Sequence, residues 1–277
     1  MISFIARVAT ALRHPKIGVE FAWWLAQKEI LGRQPVRQVH SVTLGGFNGF
    51  SEYHTVASGV SAVESNFLTN LSLAGEGVVL DVGANLGLFS LLISKQDRTR
   101  RIFAFEPHPS TFAALQANIS RNGRHNIACF KIAIAGHNGA VQFASREHGR
   151  ANASIVADGA QQPGTLQVAC ETLDSFCHRQ GIGRIAILKV DVEGYEAPVF
   201  RGASRVLAEV RPELIYFEVC PGLTRAAGFE AAEPAQLLVD LGYQLKRFGA
   251  GGDLVAASPE TASEVLRFEN WIAVPMA

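Results

Sequence analysis

Four apolar runs in this chain each meet a carboxylic acid near their ends. Val78-Val79-Leu80 meets Asp81, and Ile102-Phe103-Ala104-Phe105 meets Glu106. Ile185-Ala186-Ile187-Leu188-Lys189-Val190 meets Asp191, and Leu214-Ile215-Tyr216-Phe217 meets Glu218. Continuous rather than alternating hydrophobicity over such short runs marks strands covered on both faces. Between the runs the apolar spacing becomes helical. Phe112, Leu115 and Ile119 share one face of a helix expected over 111–122, with Ser110 as its N-cap. Val199, Phe200, Ala203, Val206 and Leu207 share a face of another, with Pro198 in its first turn and a stop at Arg211-Pro212. Alternating strands and helices predict right-handed crossovers and a mostly parallel sheet.

The same reading predicts helices over 63–73, 172–180 and 235–241, and strands over 127–134, 140–144, 166–170 and 243–248. A last strand over 271–274 is expected to run antiparallel, because a short helical segment and a loop precede it. Residues 145–165 lack apolar periodicity and read as a long functional loop. Residues 1–58 read as a helical appendage ending in a hairpin near Gly45-Gly46-Phe47-Asn48-Gly49-Phe50, and 59–277 as the main domain. The appendage has a helix over 18–31 with Phe21, Trp23, Trp24 and Leu25. Its tryptophan pair would pack on the main domain, on a second copy in a homodimer or, less favoured, on a membrane surface.

Composition narrows the function classes. The chain has 277 residues, 48% of them hydrophobic, and a formal net charge of zero, so it can bury a large core yet lacks the charge excess of a nucleic-acid binder. Cys129, Cys170, Cys177 and Cys220 are scattered without zinc-ligand spacing, which predicts free thiols and a cytoplasmic setting. No apolar run reaches the roughly 20 residues of a transmembrane helix. The segment Met1–Val8 meets Arg7 too soon for a secretory signal.

Ligands of open parallel sheets bind beyond the carboxyl ends of the strands. One acid at a strand end caps a helix as readily as it reacts; four at such ends point to a shared cleft. The turn Asp81-Val82-Gly83-Ala84-Asn85-Leu86-Gly87 carries strand into helix, and its glycines allow positive φ and close backbone approach. It is not G-x-G-x-x-G, because Asn85 stands where the second glycine would admit a pyrophosphate. A ligand with a ribose but no pyrophosphate fits better. S-adenosylmethionine is one: Asp81 would approach its ammonium group, the Gly83 turn its methionine part, and Glu106 the ribose hydroxyls.

Here the residues resemble a family. The turn, Phe105-Glu106-Pro107, Glu171-Thr172-Leu173-Asp174 and Leu188-Lys189-Val190-Asp191-Val192-Glu193-Gly194-Tyr195-Glu196 are similar to the FkbM-type S-adenosylmethionine-dependent methyltransferases. The resemblance spans about residues 60 to 220. It implies an α/β class I methyltransferase fold, Rossmann-like, with a mostly parallel seven-stranded sheet and helices on both faces. It also implies methyl transfer to a hydroxyl of a sugar, glycan or natural product. The expected cofactor contacts are Glu64, Asp81, Gly83, Ala84, Asn85, Gly87, Phe89, Glu106, Pro107, Ala133 and Asp191. Lys131-Ile132-Ala133-Ile134 departs from many methyltransferases in offering no acid or amide to the adenine amino group.

Methyl transfer to oxygen needs alignment and a base for the hydroxyl proton. Asp191, Glu193 and Glu218 are the candidates; Asp191 ranks first for orienting donor or acceptor. Glu196 suits a helix N-terminus, Lys189 an internal ion pair, and His108 and His148 ordinary loop positions. Arg146, Arg150, Asn152 and Ser154 form a candidate acceptor-recognition loop for a hydroxylated or anionic substrate. A divalent metal on Asp191 and Glu218 is a disfavoured alternative, lacking a third ligand. An NAD-linked oxidoreductase and an inactive methyltransferase-like binding module are the competing functions.

Overall fold

The computed structural model describes residues 15–56, 60–71, 77–144, 154–156 and 165–276. Strands β1 (Val36–Val39) and β2 (Val42–Gly45) form an antiparallel hairpin. Strands β3 (Val78–Val82), β4 (Ile102–Phe105) and β5 (Ile127–Phe130) enter the main sheet. Strands β6 (Ala133–Ile134), β7 (Gly139–Ala144), β8 (Ser154–Val156) and β9 (Thr165–Glu171) make a second sheet, ordered β6-β9-β7-β8. The chain returns to the main sheet with β10 (Ile185–Val190), β11 (Leu214–Val219), β12 (Tyr243–Phe248), β13 (Leu254–Ala257) and β14 (Glu269–Pro275). The order there is β13-β12-β14-β11-β10-β3-β4-β5.

From β5 to β11 all neighbours are parallel. β14 runs antiparallel between β11 and β12, as its preceding segment predicts. The main sheet holds eight strands rather than the expected seven, because β13 pairs antiparallel with β12 across the Gly249–Gly252 turn. The expected strand over 127–134 divides in two. β5 follows β4, whereas β6 leaves that sheet and pairs with β9. The hairpin comes earlier than expected, turning at His40 and Ser41 with φ of 44° and 72°. Two positive φ values are what a two-residue hairpin turn demands. Gly45–Phe50 instead links β2 to a helix over Phe50–Thr55. The N-cap of helix Pro109–Arg121 is His108 rather than Ser110, since Pro109 already holds a helical φ in the first turn.

Alternation along the strands splits the core between the sheet's two faces. Phe103 and Phe105 of β4 face one cluster with Phe176, Phe200, Phe217 and Trp271. Phe176 meets Phe103, Phe105 and Phe130 edge-on, with centroids 5.7, 4.6 and 5.0 Å apart. Such pairs contribute about 0.5–1.5 kcal/mol each beyond area burial. Ile102 and Ala104 face the other cluster with Val79, Leu91, Ile187 and Tyr216. The hairpin belongs to this second cluster through Val39, Val42 and Leu44, and Tyr53 of the following helix joins them. Asn118 and Asn122 lock it in place, their Oδ1 atoms accepting the amides of Gly45 at 2.8 Å and Thr43 at 2.9 Å. Trp24 packs against Phe50 at 5.9 Å, while Trp23 stays exposed. No described helix is long and apolar enough to cross a membrane.

Candidate functional site

The site forms where β3, β4, β10 and β11 end. Gly83 has φ 77°, and a Cβ there would stand 1.8 Å from the Asp191 carbonyl oxygen. Only glycine lets the exits of β3 and β10 touch this closely. Asn85 also adopts a positive φ of 51°, which asparagine tolerates better than most residues. Its amide donates to Glu106 Oε2 at 3.1 Å, and the His108 amide donates to Oε1 at 2.8 Å. Glu106 therefore clamps the glycine turn to the start of the next helix. Burial outweighs these bonds and raises its carboxyl to about 7.

Beneath this clamp lies a narrow cavity of about 90 Å³. Phe105, Pro107, Ile132, Ala133, Ile134 and Phe143 form its apolar walls, and Asn85, Glu106, Asp191 and Glu193 bring the polar groups. A larger chamber of about 360 Å³ shares Gly83, Asn85, Asp191 and Glu193 with it. Its far wall is built from three parts of the chain: Glu52, Thr55 and Val56; Tyr216, Glu218 and Cys220; Phe268 and Asn270.

The electrostatics are set by one cation among acids. Lys189 Nζ donates to the Gly83 carbonyl at 2.7 Å and sits 3.3 Å from Asp81 Oδ1 and 3.4 Å from Asp191 Oδ2. Burial alone would depress the lysine, but Asp191 and Asp81 together hold it above its ordinary value. Asp81 is fully buried, and its Oδ2 accepts the Ser90 hydroxyl at 2.6 Å. Its Oδ1 contact with Lys189 is ionic, outside hydrogen-bond alignment.

After Asp191 the chain doubles back through Glu193 at φ 57° and Gly194 at φ 95°. Glu196 Oε1 closes this loop by accepting the amides of Val192 at 2.9 Å and Gly194 at 3.3 Å. Its carboxyl is raised to about 7, mainly by burial. Glu196 opens the helix over Glu196–Arg201, as expected, but its side chain ties the loop before that helix rather than the helix's own amides. Glu218 is pushed well above its ordinary value by burial and by Asp191, Glu196 and Glu193. Its buried Oε2 has no hydrogen-bond partner.

Glu106, Pro107 and Ala133 thus line the narrow cavity, Ala84, Phe89 and Glu218 the chamber, and Gly83, Asn85, Asp191 and Glu193 both. Asp81, Glu64 and Gly87, expected as direct cofactor contacts, line neither. Asp81 is taken up by Lys189 and Ser90. Gly87, at φ 89°, caps the helix over Leu88–Gln96. Glu64 caps the helix over Ala62–Asn70 by accepting the Ser61 amide at 2.7 Å. It also accepts Tyr216 Oη–H at 2.9 Å and Asn270 Nδ2–H at 2.7 Å, so it braces the chamber wall from behind. Arg146, His148, Arg150 and Asn152 lie outside the described residues, and Ser154 is described only as backbone of β8. Among the described residues no group of three or more His, Cys, Asp or Glu side chains is arranged to hold a metal ion. The four cysteines are free thiols.

Sequence reasoning missed Glu52, Tyr216, Phe143, Phe268 and Asn270. Tyr216 carried a usable signal, because a tyrosine inside an aliphatic strand needs a partner for its hydroxyl. Glu52 carried none, since its position depends on the hairpin.

The methyltransferase FkbM domain family matches this chain over residues 81–245. The 2-O-methyltransferase NoeI of Sinorhizobium fredii is 28% identical over 155 residues, covering 51% of this chain and 62% of that protein. The hexuronic acid methyltransferase AglP of Haloferax volcanii is 26% identical, covering 49% of this chain and 53% of that protein. The 31-O-demethyl-FK506 methyltransferase FkbM of Streptomyces tacrolimicus is 30% identical, covering 45% and 58%. The match therefore spans little more than half the length of these relatives.

Proposed function

The chain belongs to the methyltransferase FkbM domain family, and we propose that it transfers a methyl group from S-adenosylmethionine to a hydroxyl of a sugar or other hydroxylated metabolite. The residues present suit that donor. The apolar slot around Ile132, Ala133 and Phe143 suits an adenine, and backbone groups there would serve the ring edge that Lys131–Ile134 offers no acid or amide. Glu106 keeps lone pairs for ribose hydroxyls after accepting two amides. Asn85 Oδ1 is buried without a partner beside both cavities, an acceptor awaiting a donor. Asp191 and Glu193, shared between the cavities, suit the positively charged reacting end. The bound donor supplies an electrophilic methyl on a sulfonium.

One observation carries the reaction. Glu218 lines the chamber that adjoins the donor slot and keeps a buried carboxyl oxygen without a partner. Its raised proton affinity suits a general base, because a carboxylate that binds protons tightly draws them from a hydroxyl more effectively. Glu218 takes the acceptor proton. Lys189, held by Asp81 and the Gly83 carbonyl, fixes Asp191 at the junction, so alignment is built into the strand ends. The named substrates of the relatives, a hexuronic acid among them, support a sugar-like acceptor without choosing one.

The reading is tested by incubating the protein with methyl-labelled S-adenosylmethionine and a panel of hydroxylated glycosides, followed by mass spectrometry. Label on an acceptor oxygen, abolished by Glu218→Gln, is expected. Binding of NAD with no binding of S-adenosylmethionine or its demethylated product would overturn it.

A further inference from the structure

The larger chamber is unusual in its charge. Its described lining carries four carboxyl groups, Glu52, Asp191, Glu193 and Glu218, against one cation, Lys189. That cation is committed to Asp81, Asp191 and the Gly83 carbonyl. Asp191 and Glu193 also face the narrow donor cavity, where the cationic end of the donor accounts for them. Glu52 is left over. It is 8% exposed, its Oε2 accepts the Asn48 amide, and its Oε1 is buried with no partner. A desolvated carboxylate oxygen without a donor is costly, more so than a neutral acceptor. Arg37, the nearest guanidinium in sequence, is spent on Glu20 and on the carbonyls of Tyr53 and His54.

Glu52 lies in the helix after the hairpin, outside the family-matched 81–245 range, as do Phe268 and Asn270 on the same chamber. Part of the chamber wall is therefore supplied by segments flanking the family-matched range, a place where acceptor choice can vary while the donor slot stays fixed.

We propose that Glu52 is a specificity-determining residue that pairs with a protonated amine on the acceptor, making the substrate an amine-bearing sugar or amino alcohol rather than a neutral or acidic one. Turned toward the chamber that Glu52 lines, its buried and unpartnered oxygen would gain a charge-assisted bond from an ammonium, the strongest kind available to it. The ammonium also offsets the excess negative charge of the chamber. A carboxylate on the acceptor would instead face the chamber acids with no free cation among the described lining residues. Glu52 does not touch the reacting atoms; Glu218 retains the proton-accepting role.

This inference rests on the methyltransferase reading, and the test separates the two. The protein loaded with S-adenosylhomocysteine is titrated calorimetrically with the methyl glycosides of glucosamine, N-acetylglucosamine and glucuronic acid. The glucosamine glycoside is expected to bind about tenfold or more tightly than the other two, the scale of one charge-assisted hydrogen bond. Glu52→Gln, which keeps an oxygen for the Asn48 amide, is expected to erase that preference, with S-adenosylhomocysteine binding reporting that the variant is folded. Glu52→Asp should restore part of it. Equal or tighter binding of the N-acetyl or glucuronic compound, binding of none of the three, or an amine preference that survives Glu52→Gln would overturn the inference. Failure of S-adenosylhomocysteine to bind wild-type protein would overturn the methyltransferase reading instead.

Discussion

The proposed donor slot and the proposed acceptor chamber share a border but treat their carboxylates in opposite ways. In the slot, Glu106 is tied by two backbone amides, so its oxygens are fixed before any ligand arrives. In the chamber, Glu52 and Glu218 each keep an oxygen with no partner. The slot's acid is satisfied by its own backbone, whereas the chamber's acids keep oxygens that nothing in the described chain satisfies. Lys189 stands on the border and neutralises Asp81 on one side and Asp191 on the other. Preorganisation of this kind favours a constant donor, and unfilled valence favours a selective acceptor.

Removing the border should have the largest effect. Lys189→Met leaves Asp81 buried without its cation, and breaking such a pair costs about 3–5 kcal/mol. Urea unfolding should show that loss, and a second change, Asp81→Leu, should recover part of it. A lysine variant of undiminished stability would mean that the two regions are independent.

The next two predictions pull the regions apart. Glu218→Gln should lower methyl transfer at saturating donor by about 100-fold or more while changing S-adenosylhomocysteine affinity little. In wild-type protein transfer should climb as pH rises and Glu218 loses its proton. Glu106→Gln should do the reverse. With one carboxamide oxygen left for the Asn85 and His108 amides, donor affinity should fall about tenfold, the loss of roughly one charge-assisted bond.

A separate effect, read in stability alone, follows from pH. Glu106 and Glu196 hold their protons to about pH 7 in the folded chain, against an ordinary value of 4.5. Between those values these two groups bind more protons in the folded state than in the unfolded one, so their contribution to stability is fully present below about 4.5 and is lost as pH rises through about 7. Urea midpoints across that window should fall, and Glu106→Gln should flatten the decline. The smallest effect is expected of Ser90→Ala, which removes one hydrogen bond from Asp81 and should cost about 1 kcal/mol with no change in acceptor choice.

The gathering of the proposed donor-side residues at the strand ends was legible in the sequence because those residues follow one another. An apolar run, a glycine turn and an acid at the next strand end are local patterns, and strand ends of a parallel sheet converge by topology alone. Glu106, Asn85 and Asp191 sit where that logic puts them. Asp81 and Glu64 show its limit. Both are acids beside the cleft in sequence, yet tertiary partners Lys189, Ser90, Tyr216 and Asn270 claim their oxygens. The proposed acceptor side was legible only at Glu218, which ends a strand of the same parallel sheet; Glu52 and Asn270 come from distant segments joined only when the hairpin and β14 dock. The break between β5 and β6 was hidden for a related reason. Ile127–Ile134 is apolar at nearly every position, and nothing local says that one sheet ends and another begins.

The division of labour between slot and chamber is the central claim. It is tested most directly by calorimetric titration of S-adenosylhomocysteine into wild-type protein, Glu106→Gln and Glu218→Gln in parallel. Saturable binding to wild type, about tenfold weakening in Glu106→Gln and unchanged affinity in Glu218→Gln are expected. Equal weakening in both variants, or weakening confined to Glu218→Gln, would contradict it.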